Sequence, residues 1–198
     1  MELKERVIDA VVEEFNEKGL KFTMDDLAKR LGISKRTLYT VVKDKESLFL
    51  EMVDCVFGEI KESERKIAEN PNLEVMEKLK QILIVLPEKY KTLDFRQLYD
   101  LKTKFPSIYK KIENRIETDW DLTFQTMQQA MDEGKLRRIS KPVFQAIFSG
   151  TIEYYMSRSV LIDNQISYEE GLEQLLDILI YGVIENKMSD GKNALKVK

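Results

Sequence analysis

The sequence predicts an all-α protein with an N-terminal three-helix head, built around a helix-turn-helix, and a C-terminal helical body. Apolar residues recur at three- and four-residue intervals along most of the 198 residues, as they do on one face of a helix. No segment has the strict alternation of a half-buried strand, and turn dipeptides are few. With 43% apolar and 34% charged residues, the composition is that of a folded globular chain.

Three helices are predicted in the head. The first spans about Leu3 to Lys18 and ends before Gly19, a residue that suits a left-handed helix end. Thr23 caps the second helix in a capping-box arrangement, and Gly32 ends it. Ser34 caps the short third helix, because its hydroxyl can accept a hydrogen bond from the first turn.

The body is predicted to begin with a long helix that is capped by Asp44 and runs to about Ala68. Further helices are expected over residues 73–86, 94–104, 107–133, 142–162 and 168–185, because proline and glycine separate these apolar-periodic segments. We therefore predict domains at residues 1–48 and 49–188, followed by a disordered polar tail at 189–198.

The composition argues against an enzyme. Cys55 is the only cysteine and histidine is absent, which excludes an intramolecular disulfide, a Ser-His-Asp or Cys-His nucleophile, and the commonest transition-metal ligand. We expect no resident cofactor and no metal ion. The chain has neither a secretory signal nor an apolar run long enough for a bilayer, so a cytoplasmic protein without a membrane partner is expected.

Positive charge is concentrated in one short segment. Residues 27–45 carry a net charge of +5, although the whole chain has a net charge of −3. A basic patch on an otherwise acidic protein attracts a polyanion to one face and repels it from the others. The charge distribution therefore favours a nucleic-acid partner for the head.

The spacing of the second and third helices is that of a helix-turn-helix, in which the second of the pair enters the DNA major groove. The start of that recognition helix holds Lys35, Arg36 and Thr37. Lysine and arginine can donate to guanine, and a threonine methyl can contact thymine. These three residues are predicted to read bases in double-stranded DNA.

Residues 5–50 resemble the DNA-binding domain of the TetR family of repressors. The matching pattern is Thr23-x-x-x-Leu27-Ala28-x-x-Leu31-Gly32-Ile33-Ser34-x-x-Thr37-Leu38-Tyr39, followed by Lys43-x-Lys45-x-x-Leu48. The resemblance implies phosphate contacts by Thr23, Tyr39 and Lys45. Ser34 and Lys43 complete the candidate DNA-binding set, although Lys43 could equally be a solvated lysine and Tyr39 a core tyrosine.

The sequence departs from the family pattern just after the recognition helix. Many members have an aromatic residue or a histidine where this chain has Thr40, Val41 and Val42. Val42 is interpreted as a core residue. The other two replace one aromatic contact with the DNA backbone, which leaves part of the family's DNA contact differently arranged or absent.

The last two helices are apolar on more than one side, so each is expected to be buried on more than one side. Gly150 and Gly182 would permit close helix approach. We predict a homodimer through these helices, forming a four-helix interface across a two-fold axis. The TetR resemblance implies the same pairing, and two recognition helices would then read a palindromic operator.

The resemblance also implies a ligand-binding role for the body. Candidate residues for an effector site are Phe95, Tyr99, Phe105, Trp120, Phe124, Met127, Tyr154 and Tyr155. Aromatic residues with a polar tip and a flexible methionine suit a mostly apolar ligand, although such residues are more often part of a core.

The sequence thus predicts a ligand-responsive homodimeric repressor, released from its operator by a small, mostly apolar effector. The alternative is a helical ligand-binding or adaptor protein whose head engages protein rather than DNA. Salt-dependent DNA binding separates the two, because phosphate contacts release counterions.

Overall fold

The computed structural model describes residues 3–91 and 101–183. Its helices are α1 (Leu3–Lys18), α2 (Met24–Leu31), α3 (Lys35–Leu38), α4 (Lys45–Glu69), α5 (Val75–Ile84), α6 (Leu101–Lys104), α7 (Pro106–Glu117), α8 (Asp121–Asp132), α9 (Lys141–Ser157), α10 (Val160–Asp163) and α11 (Tyr168–Val183). Two 3-10 turns, Gly19–Lys21 and Glu88–Tyr90, lie between them. No helix in the described ranges is both long and apolar enough to cross a membrane.

The helix ends of the head confirm the predicted caps. The Thr23 side chain accepts a hydrogen bond from the Asp26 N–H, while the Asp26 carboxylate accepts one from the Thr23 N–H. Gly32 ends α2 in the left-handed conformation, with φ of 65°. The Ser34 hydroxyl accepts from the Thr37 N–H and begins α3. Each cap satisfies backbone groups that a helix end leaves unpaired.

An aromatic core joins the head helices to α4. The ring of Phe49 on α4 lies 6.0 Å from that of Phe15 and 5.5 Å from that of Phe22, between ring centroids. Leu27 on α2 and Leu38 on α3 are completely buried. Because α2 and α3 each place an apolar face in this core, their opposite faces point outward.

Helix α4 is 25 residues long and connects the head to the body. It packs on α1 in the head and on α5, α7 and α8 in the body. Around it, α5 packs on α8 and α11, and α9 packs on α7 and α11. The helix runs through the predicted boundary between residues 48 and 49, so the division at that point stays a prediction.

The prediction of one helix over 107–133 is wrong, because the chain breaks between α7 and α8. Asp119 adopts φ of 64°, a left-handed conformation that aspartate tolerates better than most residues. Side chains satisfy the carbonyls freed by the break: Lys61 donates to the Asp119 oxygen at 2.7 Å. The Trp120 indole N–H donates to the Ile116 oxygen at 2.9 Å.

The prediction of a single helix over 142–162 is also wrong. Helix α9 ends at Ser157, Arg158 is extended with φ of −137°, and the short α10 follows. The turn allows Leu161 to pack on α11, where a Cβ added to Gly171 would lie 3.0 Å from the leucine side chain. Burying the Leu161 side chain stabilises the fold more than continuing α9 as one helix, which the apolar pattern alone had predicted.

The other predicted body helices agree with the structure where it describes them. The helix expected over 73–86 is α5, which is shorter at both ends. Only the last part of the helix expected over 94–104 is described, as α6, and α11 is described to Val183. The predicted tail at 189–198 lies outside the described residues.

Candidate DNA-binding surface and internal cavity

The outer face of α3 presents most of the predicted DNA-binding side chains. Its exposed residues are Lys35, Arg36, Thr37 and Tyr39. Tyr39 ends the helix and is 45% exposed, so it is not a core tyrosine. The Ser34 hydroxyl accepts from the Thr37 N–H at 3.0 Å and lies 2.8 Å from the Thr37 hydroxyl, which fixes the start of this helix.

The cations around α3 differ in whether they already have a hydrogen-bond or ion-pair partner within the protein. Within residues 3–91 and 101–183, the exposed Arg36 and Lys43 have no hydrogen bond or ion pair. The Lys35 ammonium lies 3.0 Å from the Asp25 carboxylate, and that hydrogen bond and charge raise the lysine pKa. Arg36 is thus the cation on α3 that can meet a base or a phosphate without giving up a partner.

Lys45 points inward instead of toward a phosphate. Its ammonium donates to the carbonyl oxygens of Leu20 at 2.7 Å and Phe22 at 2.5 Å, and lies 4.4 Å from the centroid of the Phe22 ring. Burial lowers the pKa of this ammonium, and the charge of Asp26 only partly offsets the effect. The geometry differs from the phosphate contact that the family pattern implies for Lys45.

Arg30, one of the six cations in the basic segment, is also engaged by carboxylates of the head. Its guanidinium contacts the carboxylates of Glu14 at 2.6 Å, Glu13 at 3.0 Å and Glu17 at 2.5 Å, all on α1. Glu14 is 2% exposed. The contact fixes α2 against α1, so Arg30 contributes less positive potential to the DNA-facing side than its sequence position indicates.

The remaining predicted contacts lie at the edges of the helix-turn-helix. Thr23 is exposed, but its hydroxyl is engaged in the capping box and donates to the Asp26 carboxylate at 2.7 Å. The Thr40 hydroxyl donates to the Thr37 carbonyl oxygen at 2.7 Å. Val42 is 4% exposed, which confirms its interpretation as a core residue, and Val41 packs partly against the same core.

A cavity of about 200 Å³ lies in the body between α4, α5, α7, α8, α9 and α11, and it is partly open to solvent. Its apolar wall includes Met52, Val56, Ile60, Ile82, Ile112, Ile116, Trp120, Phe148, Ile152, Met156 and Leu172. An apolar cavity of roughly 150 Å³ can hold benzene. This cavity therefore has room for a small, mostly apolar molecule.

One end of the cavity is polar. Lys61 and Glu64, three residues apart on α4, both line it, and their ammonium and carboxylate are 2.9 Å apart. Arg115 and Asp119 line the same cavity and form an ion pair at 3.2 Å. Glu64 is 5% exposed, and burial raises its pKa in spite of the adjacent Lys61.

The structure separates the residues that were predicted to line an effector site. Trp120 lines the cavity, and Phe124 lies behind it with the ring centroids 5.7 Å apart. Met127 has no exposed surface and belongs to the core. Phe105 instead packs on Phe49 of α4, 5.9 Å between centroids, where the body meets the head.

Neither of the two predicted tyrosines on α9 lines the cavity. Tyr154 is 52% exposed on the outer side of α9. The Tyr155 hydroxyl lies 3.5 Å from the Gly171 carbonyl oxygen, between α9 and α11. Phe95 and Tyr99 lie outside the described residues.

Comparison with known proteins agrees with the helix-turn-helix and extends over most of the chain. The family model described as bacterial regulatory proteins, tetR family, matches residues 7–52. The HTH-type transcriptional regulator YvaF of Bacillus subtilis is 30% identical over 188 residues, which are 95% of this chain and 99% of YvaF. This chain belongs to the TetR family. As a TetR-family protein it is a DNA-binding regulator of transcription.

Two further relatives cover different parts of this TetR-family regulator. IcaR of Staphylococcus aureus, a negative transcriptional regulator of the biofilm operon icaADBC, is 38% identical over 56 residues, 28% of this chain and 30% of IcaR. The crystal structure of FadR from Bacillus subtilis in complex with stearoyl-CoA has a TM-score of 0.63 at 20% identity, covering 90% of this chain and 98% of FadR. The second comparison shows a shared fold through the body.

The regulator also has an exposed apolar surface on its last long helices, here called the C-terminal apolar face. Its members are Val143 (58% exposed), Ile147 (48%) and Tyr154 (52%) on α9, and Ile178 (73%) and Tyr181 (68%) on α11. A Cβ added to Gly150 or Gly182 would meet nothing within 4 Å. Packing within the chain therefore does not require glycine at either position.

The sequence contains a signal for the polar end of the cavity, although none of the predicted site residues lies at that end. On α4, Val56 and Ile60 continue the apolar stripe at four-residue spacing, and the next position on that stripe is Glu64. A charged residue on the buried face of a helix needs a partner there. Lys61 supplies that partner in the regulator.

Proposed function

We propose that this TetR-family regulator is a homodimeric repressor that binds a palindromic operator through α3 and releases it when a small, mostly apolar effector occupies the cavity. The observation that carries the proposal is the guanidinium of Arg36, which is exposed at the start of a Ser34-capped helix and has no partner in the described part of the chain. A side chain in that position can donate two hydrogen bonds to guanine in the major groove.

The roles of the other head residues follow from their exposure. Lys35 and Thr37 share the outer face of α3 with Arg36 and are assigned to base reading. Tyr39 and Lys43, at and after the helix end, are assigned to phosphate contacts that orient the head. Ser34 acts by holding the helix start, and Lys45 is assigned a structural role in place of a phosphate contact.

The C-terminal apolar face supports a dimer. Side chains of that size exposed on two adjacent helices are typical of a surface that another protein covers. Glycines that the chain's own packing does not need would let a second copy of α9 or α11 approach closely. Two heads related by a two-fold axis would then address half-sites about 34–36 Å apart, or a multiple of that distance.

The position of α4 supports a coupling between effector binding in the cavity and DNA binding by the head. Its first turns pack in the head core, and its later turns line the cavity. A ligand releases DNA only if it binds the DNA-incompetent arrangement more tightly. IcaR, a negative transcriptional regulator, supports repression, and the FadR complex with stearoyl-CoA supports a body that binds a ligand.

The test is a mobility-shift assay with DNA from upstream of the regulator's own gene. Arg36→Ala and Tyr39→Phe should each weaken binding, by roughly tenfold or more for the arginine. Arg138→Ala is the matched control, because Arg138 is exposed on the body and has only a 3.9 Å ion pair to Asp132. Unchanged affinity and salt dependence in both head variants would overturn the assignment.

A further inference from the structure

The polar end of the cavity holds equal numbers of positive and negative groups, each already paired within the protein. Lys61 donates to Glu64 at 2.9 and 3.0 Å and to the Asp119 carbonyl oxygen at 2.7 Å, which uses all three ammonium hydrogens. Arg115 contacts the carboxylates of Asp119 at 3.2 Å and Asp54 at 3.0 Å. Among the described residues at this end of the cavity, neither cation lacks a carboxylate partner.

A charged ligand would have to break one of these pairs. An entering carboxylate would displace Glu64 from Lys61, and would leave a carboxylate that is 5% exposed without its cation. An entering ammonium would compete with Lys61 for the same carboxylate. Removing one partner of a buried ion pair costs far more than the pair contributes, because the other charge stays desolvated.

Thr123 offers a different kind of contact. It lines the cavity and is 5% exposed, and its hydroxyl has no hydrogen-bond partner within the described residues. Because Thr123 lines the cavity, its hydroxyl lies where it can meet a small molecule held there. A neutral hydroxyl or carbonyl group on a ligand can pair with it without disturbing any ion pair.

We propose that the effector is an uncharged, mainly aliphatic or aromatic molecule with one hydrogen-bonding group, and that the cavity discriminates against carboxylates and ammonium ions through the Lys61–Glu64 pair. The inference rests on the proposed function only in taking this cavity as the effector site. It separates this regulator from the stearoyl-CoA complex of its structural neighbour, since that ligand is strongly anionic.

The test is a fluorescence titration of the full-length protein at pH 7. Trp120 is the single tryptophan of the chain and lines the cavity, so its emission reports occupancy directly. The probes are 1-decanol, decanoate and decylammonium below their aggregation limits. A second series, 2-phenylethanol, phenylacetate and 2-phenylethylammonium, repeats the comparison with a ring. In at least one series the alcohol should bind about tenfold or more tightly than both ions.

Two variants test the cause of the preference. Glu64→Gln leaves the Lys61 charge unmatched and should raise decanoate affinity by about tenfold, while Lys61→Met leaves Glu64 unmatched and should do the same for decylammonium. Glu62→Gln is the control, because Glu62 is on the same helix but contacts Arg65 outside the cavity. Circular dichroism shows whether each variant is folded. One folded variant of the Lys61–Glu64 pair is enough to compare the affinities of the ions with those of the wild type. Thr123→Val should weaken the alcohol about threefold or more.

Three results would overturn the proposal: an ion that binds as tightly as its alcohol in both series, no response to any of the six probes, or an unchanged order of affinities in the folded charge variants. These measurements use protein without DNA. A failure to bind the operator in the mobility-shift assay would therefore count against the proposed repressor, and not against the charge preference of the cavity.

Discussion

The Lys45 ammonium donates a hydrogen bond to the carbonyl oxygen of Phe22 and at the same time lies 4.4 Å from the centroid of the Phe22 ring. The residue at the start of the long connecting helix is thereby tied to the segment just before the helix-turn-helix. A lysine whose ammonium donates to two carbonyl oxygens and lies against an aromatic ring stabilises the head, and it does not extend toward DNA.

Replacing Lys45 should therefore affect stability more than DNA contact. Lys45→Met should lower the free energy of unfolding by about 1–2 kcal/mol, because two carbonyl oxygens lose a charged donor. The slope of log binding constant against log salt should stay unchanged. Lys43→Met should do the reverse, with stability unchanged and the slope reduced by about 1, because Lys43 is exposed and unpartnered in the described structure. Equal slopes for the two variants would contradict this division of roles.

A second prediction concerns how the stability of the head depends on pH. Burial raises the pKa of Glu14, but hydrogen bonds and charge from Arg30 and Lys18 outweigh burial, so the folded pKa lies below 4.5. A carboxyl with a lowered folded pKa stabilises the protein above its unfolded pKa, and this stabilisation is lost as the pH falls through the folded value. Glu14→Gln should cost about 2 kcal/mol near pH 7, less than a fully buried pair because Arg30 is partly exposed.

The measurement for Glu14 is urea denaturation at pH 7 and again below pH 4. The difference between wild type and Glu14→Gln should shrink at the lower pH, because the carboxylate of the unfolded wild-type chain takes up protons there before the folded one does. Glu13→Gln is the control, since Glu13 contacts the same Arg30 from an exposed position and should cost about 0.5 kcal/mol or less. A constant difference across this pH range would show that the ion pair is not the source of the stability.

A third prediction compares two glycines with equal space around them. A Cβ would meet nothing within 4 Å at either Gly32 or Gly58, but only Gly32 has a positive φ, of 65°. Gly32→Ala should therefore destabilise the head by about 1 kcal/mol through backbone strain. Gly58→Ala, within α4, should stabilise the protein by about 0.5–1 kcal/mol through helix propensity. Thermal unfolding followed by circular dichroism gives both signs, and shifts of the same sign would refute the argument.

The parts of this fold that were predictable from sequence are those set by neighbouring residues. Thr23, Gly32 and Ser34 act on backbone groups within three or four positions of themselves, so their roles are readable without tertiary information. The spacing between these caps then places Arg36 and Tyr39 on one exposed face. The helix-turn-helix could be predicted because its geometry is local.

The features that were missed depend on residues distant in sequence. The direction of Lys45 is set by carbonyls 23 and 25 positions away, and the break at Asp119 is supported by a lysine 58 positions away. Phe105 was predicted as an effector-site residue, but it is partly buried and its packing on Phe49 depends on how α7 docks onto α4. The periodicity of apolar residues predicts which side chains are buried, but it does not predict which residues they pack against.

The last prediction concerns the C-terminal apolar face and the dimer. Ile147→Glu places a charge at the middle of the exposed stripe on α9, where Ile147 is 48% exposed in the single chain. If a second copy covers this face, the buried carboxylate has no partner. The dissociation constant of the dimer should then rise by at least about 100-fold. Sedimentation velocity should give a dimer for wild type and a monomer for the variant at micromolar concentration. Gln125→Glu on α8 adds the same charge at an exposed site, and this variant should stay dimeric.

The Ile147→Glu monomer should also bind the operator far more weakly, because one recognition helix reads only half of a palindrome. A variant that remains dimeric would mean that copies of this chain associate through another surface.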